Sequence, residues 1–363
     1  MSPEPKPGIR DIEPYVAGRA PEPDEQPAFK LSSNESALGA SPKAVAAYEA
    51  ARNDLSFYPD GGAVFLRNAI AKLHGLDSER IVCGSGSEEL LSLLARAYVR
   101  PGDEVLFSEH AFIVYRIAAL SSSAVPVAVP EKTLCADIDA ILAHVTPCTR
   151  LVYLANPNNP TGSCLAAEDM ERLHAGLPER VLLVIDAAYA EYVQRADYEP
   201  GASLVSRFDN VVMTRTFSKI YGLAGLRVGW AYCPSPVADM LNRVRGPFNV
   251  TTAAQAAATA ALSDREHVAH SITHNAEWKS WLVQKIRAAG LDVDGGEGNF
   301  LLVRFPRETP YDAKSADAFL TKRGFILRPV ANYNLPHCLR LTIGTEEANR
   351  GVARALADFM RQT

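Results

Sequence analysis

Three apolar runs recur through the middle of the chain, at residues 150–155 (RLVYLA), 181–185 (VLLVI) and 211–213 (VVM). They are apolar throughout rather than alternating, and they follow one another at about thirty residues, the length of one strand–helix–strand unit. That pattern predicts a parallel sheet covered on both faces. Shorter runs at 81–83 (IVC) and 105–107 (VLF) predict two further strands. Between them the period lengthens to that of helices at 43–52, with Ser41 as N-cap and Pro42 in the first turn, at 64–74 and at 90–98. Beyond Pro247 the character changes. An Ala-rich helix at 252–262, a long charged helix from about 266 to 288, strands at 299–303 and 340–343, and helices at 313–323 and 346–360 predict a smaller α+β domain. The fold expected is α/β: an N-terminal arm at 1–30 contributing to the small domain, a large domain at 31–250 with a mostly parallel sheet covered by helices, and a small C-terminal α+β domain at 251–363.

Bulk properties narrow the function. A chain of 363 residues exceeds one hydrophobic core, which agrees with two domains. A net charge of −5 argues against nucleic acid as a partner. No apolar run approaches the ~20 residues of a membrane span, and the Pro- and charge-rich start lacks the apolar core of a signal peptide. The six cysteines are scattered, without a CxxC pair or metal-like spacing with histidine. They predict reduced, mostly buried thiols in a cytoplasmic protein that holds no metal.

In a sheet of this kind functional groups gather at the carboxyl ends of the strands. The three apolar runs end at NPNNPTG (156–162), at Asp186 and at Ser218-Lys219. Lys219 stands among Thr214, Thr216 and Ser218, with Arg227 eight residues on, which places an amine beside donors suited to an anion. Lysine forms Schiff bases and the donors suit a phosphate; pyridoxal 5′-phosphate needs both. GSGSEE (84–89) joins a strand to a helix N-terminus, either as an anion site or as a purely conformational turn. Phe112 and Tyr115 either lie on a pyridine ring or fill the core. Asp186 either holds a ring nitrogen protonated or caps a helix. Asn159 and Tyr189 either bond a ring hydroxyl or, for the Asn, build a rigid turn. Each residue alone is ambiguous, and their joint order is not.

The segments KLSSNES, YPDGGA, GSGSEEL, ANPNNPTG, DAAYAEY, TFSKIYGLAGLRVGW, RGPFNV, EGNFLLVRF and LPHCLRLTIGTEEAN resemble the fold-type I pyridoxal-phosphate aminotransferases over nearly the whole chain. Within that superfamily the chain resembles the histidinol-phosphate aminotransferases. The resemblance implies a large pyridoxal-phosphate-binding domain with Lys219 as Schiff-base lysine and proton shuttle. It implies Asp186 on the pyridinium nitrogen, Asn159 and Tyr189 on the ring oxygen, and Thr216, Ser218, Arg227 and the backbone of Ser87 and Glu88 on the phosphate. Phe112 falls where the family has a stacking tyrosine, so stacking is expected without a hydroxyl contact. Tyr58 would reach the cofactor phosphate of a second subunit, which implies a homodimer with shared active sites. Arg340, Arg328 and Tyr15 would grip the phosphate of histidinol phosphate or the carboxylates of glutamate and 2-oxoglutarate. Ser36-Ala37 replaces the family's Asn-Pro and implies a local loop adjustment.

The activity so implied is transamination between L-histidinol phosphate and 2-oxoglutarate. Phenylalanine or tyrosine transamination needs the same machinery, and threonine-phosphate decarboxylation belongs to relatives with similar motifs. A non-catalytic binding protein on this fold would be expected to lose Lys219 or Asp186, and both are present.

Overall fold

The computed structural model describes residues 3–15, 18–19, 29–308 and 310–361. Seven strands form the main sheet: β1 (Ile81–Gly84), β2 (Glu104–Ser108), β3 (Val125–Val129), β4 (Thr149–Ala155), β5 (Leu182–Asp186), β6 (Val211–Thr216) and β7 (Gly229–Tyr232). Their spatial order is β1-β7-β6-β5-β4-β2-β3. All neighbours are parallel except where β7 meets β6 and β1. Because β7 alone is reversed, β1 runs with the other five, and its carboxyl end shares their edge. The sheet is mostly parallel, as expected, and the sequence motifs at four strand ends come together along that edge.

Burial explains the lack of alternation. On β4, Val152 and Leu154 enter one core while Leu151 and Tyr153 enter the core on the opposite face. The neighbouring β5 splits likewise, with Leu183 and Ile185 on one side and Leu182 and Val184 on the other. A strand apolar on both faces is stable only between two layers of helices. Those layers include α1 (Pro42–Ala50), capped by the Ser41 hydroxyl, α2 (Val64–His74) and α3 (Ser87–Tyr98).

The second unit has a four-stranded antiparallel sheet built from β8 (Asp292–Asp294), β9 (Phe300–Arg304), β10 (Arg328–Pro329) and β11 (Cys338–Thr342), in the order β8-β9-β11-β10. Its core lies under the long helix Arg265–Ala288 and the closing helix Glu346–Met360. The Ala-rich helix Thr252–Ser263 behaves differently from the expected boundary at 250. Its buried Ala254, Ala257, Ala258 and Ala261 join the core of the large sheet, packed on α1 and α2. We therefore propose that the two units divide after Ser263. The arm touches both units: Phe29–Lys30 pairs in parallel with Phe325–Ile326, while Gly8 lies against the backbone of Leu120. Among the described residues no helix is long and apolar enough to cross a membrane.

Candidate active site

The edge formed by the carboxyl ends of β1, β4, β5 and β6 opens into a cavity of about 270 Å³. Lys219 lies three residues beyond β6, inside the wall. Burial and the nearby Arg340 and Arg227 guanidiniums lower its pKa from 10.5 to about 8, against the opposing pull of Glu35 and Asp186. Its Nζ donates to the Ser33 carbonyl at 3.3 Å and lies 5.6 Å from the centre of the Tyr189 ring.

Asp186 ends β5 and is buried. No helix begins there, since the next helical turn starts at Ala190, so the capping role has nothing to cap. The carboxylate accepts instead from the Tyr115 hydroxyl at 2.9 Å and the Thr214 hydroxyl at 3.2 Å. Burial pushes its pKa up, and these two hydrogen bonds and Lys219 pull it down. Thr214 had been read as a donor near Lys219, and its contact with Asp186, like that of the Tyr115 hydroxyl, escaped the sequence reading. The place of Thr214 beside Asp186 was hidden because β6 continues through polar residues to Thr216, and Tyr115 had been weighed only as a stacking or core-filling ring.

The GSGSEE turn sits beside Arg227. Gly86 adopts φ +81°, and a Cβ there would stand 2.4 Å from the Arg227 Nη2. A Cβ on Gly229 would stand 2.4 Å from the Ser87 nitrogen. Only glycine lets guanidinium, helix N-terminus and β7 approach so closely. No side chain caps the first N–H groups of α3, which leaves them for an anion. Arg227 donates to the Ser218 hydroxyl at 3.1 Å, and the Thr216 hydroxyl accepts from the Ser218 backbone at 3.1 Å. A cradle of free N–H groups, two hydroxyls and a guanidinium fits a phosphate, and the buried Asp186 fits a protonated ring nitrogen. The residues present therefore match pyridoxal phosphate.

The opposite wall comes from the small unit. In the register of β10 and β11, Arg328 lies directly opposite Arg340, and both are buried. Two like charges facing one another across a ladder destabilise it unless an anion intervenes. Arg340 donates to Asn159 Oδ1 at 2.5 Å and to the Ser32 carbonyl at 2.6 Å, both neutral oxygens, while its buried Nε has no partner. Arg328 lies 6.0 Å from the centre of the Tyr15 ring. The segment Ser32–Glu35, which the resemblance covered without assigning roles, lines the cavity, and Asn34 donates to the Tyr189 hydroxyl at 2.8 Å. Tyr333 lines it too and was not foreseen.

Of the expected residues, Tyr15, Ser87, Glu88, Phe112, Asn159, Asp186, Tyr189, Thr216, Ser218, Lys219, Arg227, Arg328 and Arg340 share this cavity. Tyr58 does not. It is 82% exposed, with its ring stacked on Phe248 at 4.6 Å.

Comparison with known proteins agrees with this geometry. The family "Aminotransferase class I and II" matches residues 26–356. A histidinol-phosphate aminotransferase of Rhodopseudomonas palustris (strain BisB18) is 53% identical over 99% of both chains. One from strain HaA2 is 52% identical over 99% of this chain and 98% of its own. The crystal structure of a histidinol-phosphate aminotransferase from Sinorhizobium meliloti, in complex with pyridoxal-5′-phosphate, superposes with a TM-score of 0.89 at 29% identity, covering 99% of this chain and 98% of the other. An aspartate aminotransferase double mutant from Thermus thermophilus shares the fold, with a TM-score of 0.81 at 22% identity over 91% of each chain. With its lysine, carboxylate and anion cradle at the edge of one such sheet, the chain belongs to the class I and II aminotransferases.

Proposed function

We propose that this protein transfers an amino group between L-histidinol phosphate and 2-oxoglutarate, using pyridoxal 5′-phosphate, as a step of histidine biosynthesis. One observation carries the reading: a half-buried amine (Lys219), a buried carboxylate (Asp186) and a buried guanidinium bonded, among the described residues, to neutral oxygens (Arg340) line the same cavity. The full-length relatives named for this activity support the choice of substrate.

Pyridoxal phosphate, when bound, supplies an aldehyde for an amine and a protonated ring that draws electron density from the substrate's α carbon. Lys219 would be the nucleophile for that aldehyde, since a pKa of about 8 leaves roughly a tenth of it neutral at pH 7, far more than an ordinary lysine has. Its Nζ would then take the proton from the substrate's α carbon and deliver it to the cofactor carbon that had carried the aldehyde. Asp186 keeps the ring nitrogen protonated, and Tyr115 and Thr214 keep Asp186 oriented. Asn159 has its Oδ1 engaged by Arg340, which leaves its Nδ2 to donate to the ring oxygen. The Tyr189 hydroxyl accepts from Asn34 and so has its own hydrogen free for the same oxygen. Thr216, Ser218, Arg227 and the backbone N–H groups of Ser87 and Glu88 hold the phosphate, and Phe112 covers a face of the ring.

On the substrate side, Arg340, Arg328 and Tyr15 grip an anion. Histidinol phosphate has no carboxylate, so its phosphate takes that place, and glutamate presents a carboxylate to the same fork. We assign Tyr58 to the cofactor phosphate of a second subunit in a homodimer. The exposed Leu55, Phe57, Tyr58 and Phe65, all near the start of α2, support such an interface. We place the enzyme in the cytoplasm.

The test is a single-turnover spectrum of the cofactor-loaded protein mixed separately with histidinol phosphate and phenylalanine. Loss of the visible absorption much faster with histidinol phosphate is the expected result. A faster loss with phenylalanine would make the protein an aromatic aminotransferase, and no visible absorption at all would remove Lys219 from its role.

A further inference from the structure

His110 is buried, with 9% of its surface exposed, and stands outside the cavity wall, yet it is bonded to the segments that build that wall. It follows β2 in the loop that carries Phe112 into the cavity and leads to Tyr115. Its carbonyl accepts from Asn158 Nδ2 at 3.3 Å, next to Asn159. Its backbone N–H donates to Glu131 at 3.2 Å. Its ring Nδ1 lies 2.6 Å from the carbonyl oxygen of Tyr333, in the other unit. A carbonyl only accepts, so that nitrogen carries the hydrogen.

Tyr333 closes the short turn Ala331–Tyr333, which lies in the connection between β10 and β11. Those two strands carry Arg328 and Arg340. The bond is set in an apolar seam, where Ile113 and Leu134 of the large unit pack against Val330, Tyr333, Leu335 and Cys338 of the small one. Apolar contacts of this kind resist separation but allow sliding, because they are not directional. A hydrogen bond in a low-dielectric seam fixes the register, and losing it would strand a buried carbonyl.

We propose that His110 is a positioning residue that fixes the arginine pair of the small unit against the cofactor side of the cavity through the Tyr333 carbonyl, and so sets the grip on the substrate's anionic group. This rests on the transamination reading. A purely space-filling histidine is the alternative, and the two differ in what can replace it. Asparagine places an amide nitrogen at the position of Nδ1, whereas glutamine carries its amide one carbon farther, at the position of Nε2.

The experiment compares His110→Asn, His110→Gln and His110→Leu in the cofactor-loaded enzyme. Steady-state transamination of histidinol phosphate with 2-oxoglutarate gives KM and kcat, and titration of the visible absorption gives cofactor affinity. In H110Q and H110L, KM for both substrates should rise about tenfold, with kcat within about twofold of the parent and cofactor affinity unchanged. H110N should recover KM to within about threefold of the parent. H110Q keeps a polar side chain, so it serves if H110L does not accumulate. The inference is overturned if H110N is as impaired as H110Q, if H110Q retains the parental KM, or if the variants lose cofactor rather than substrate. A parent inactive on histidinol phosphate would overturn the substrate reading alone. The same KM comparison on phenylalanine, whose carboxylate also needs the arginines, would then decide the role of His110.

Discussion

On the wall built by the parallel sheet, charged groups meet compensating partners. Asp186 faces the Lys219 amine and receives two hydroxyls, and Arg227 bonds Ser218 and lies 3.9 Å from Glu88. On the wall built by the antiparallel sheet, Arg340 is equally buried but meets only neutral oxygens among the described residues, and Arg328 faces it across the ladder. Burying a charge without a counter-charge costs several kcal/mol. The sheet edge is thus organised in advance for a resident cofactor, whereas Arg340 of the small unit keeps a buried charge whose partners among the described residues are neutral, a charge that an incoming anion would offset. On the proposed function the contrast separates two roles, with chemistry assigned to the balanced wall and recognition to the unbalanced one.

The largest effect should come from the balanced wall. Lys219→Ala should lower transamination at least about 10³-fold, because nucleophile and proton shuttle vanish together, while circular dichroism stays that of the parent. Retained activity would break the division at its root. On the other wall, Arg340→Met should raise KM about 100-fold for both histidinol phosphate and 2-oxoglutarate, the usual cost of losing a buried charge-assisted fork. The same change should leave the cofactor-free protein as stable as the parent or more stable, since it removes an uncompensated charge while keeping an unbranched apolar stem in place of the arginine methylenes. Calorimetry checks this, and a marked loss of stability would mean that Arg340 is compensated after all.

Lys219 offers a subtler comparison, because its charge is penalised by desolvation although the residue is only half-buried. Its folded pKa, about 8, lies below the ordinary 10.5. Between those values the unfolded chain holds a proton that the folded chain does not, so stability rises with pH through that window; below about 8 both states are protonated and the full penalty remains. In the cofactor-free protein, Lys219→Met should therefore be stabilising at pH 7, on the order of 2–3 kcal/mol, with the gain shrinking as pH climbs from 8 toward 10.5. Urea unfolding of the two proteins at pH 7 and pH 9.5 measures it. A gain that does not shrink would attribute it to packing.

Residues just beyond continuous apolar runs stood out from local pattern, since Asn159, Asp186 and Lys219 each follow such a run within a few residues. What lay hidden depends on register or on polar residues inside strands. Thr214 and Arg215 belong to β6, yet the visible apolar run stops at Met213; Arg215 is accommodated in the core by its ion pair with Glu191 at 2.7 Å. The opposition of Arg328 and Arg340 follows from strand pairing, which a one-dimensional pattern does not contain. The reversed β7 follows from the same information. The helix Thr252–Ser263 showed its alanines but not which sheet they cover, and the packing assigned it to the larger core.

The smallest expected effect tests how finely the balanced wall is tuned. Tyr115 is fully buried, and burial together with the nearby Asp186 pushes its pKa far up, which keeps its hydroxyl a donor. Tyr115→Phe removes that donor and leaves the ring stacked on Tyr153 at 4.7 Å. Because the hydrogen bond lowers the Asp186 pKa, its loss should raise it further and move the acidic limb of the kcat profile to higher pH. At neutral pH the loss in kcat should be about five- to tenfold, the net worth of one ordinary hydrogen bond. KM should stay near the parental value, because the substrate anion is held on the other wall. A shift in KM with the pH profile unmoved would show that the two walls are not independent, and that Tyr115 acts on the anion site through the loop it shares with His110.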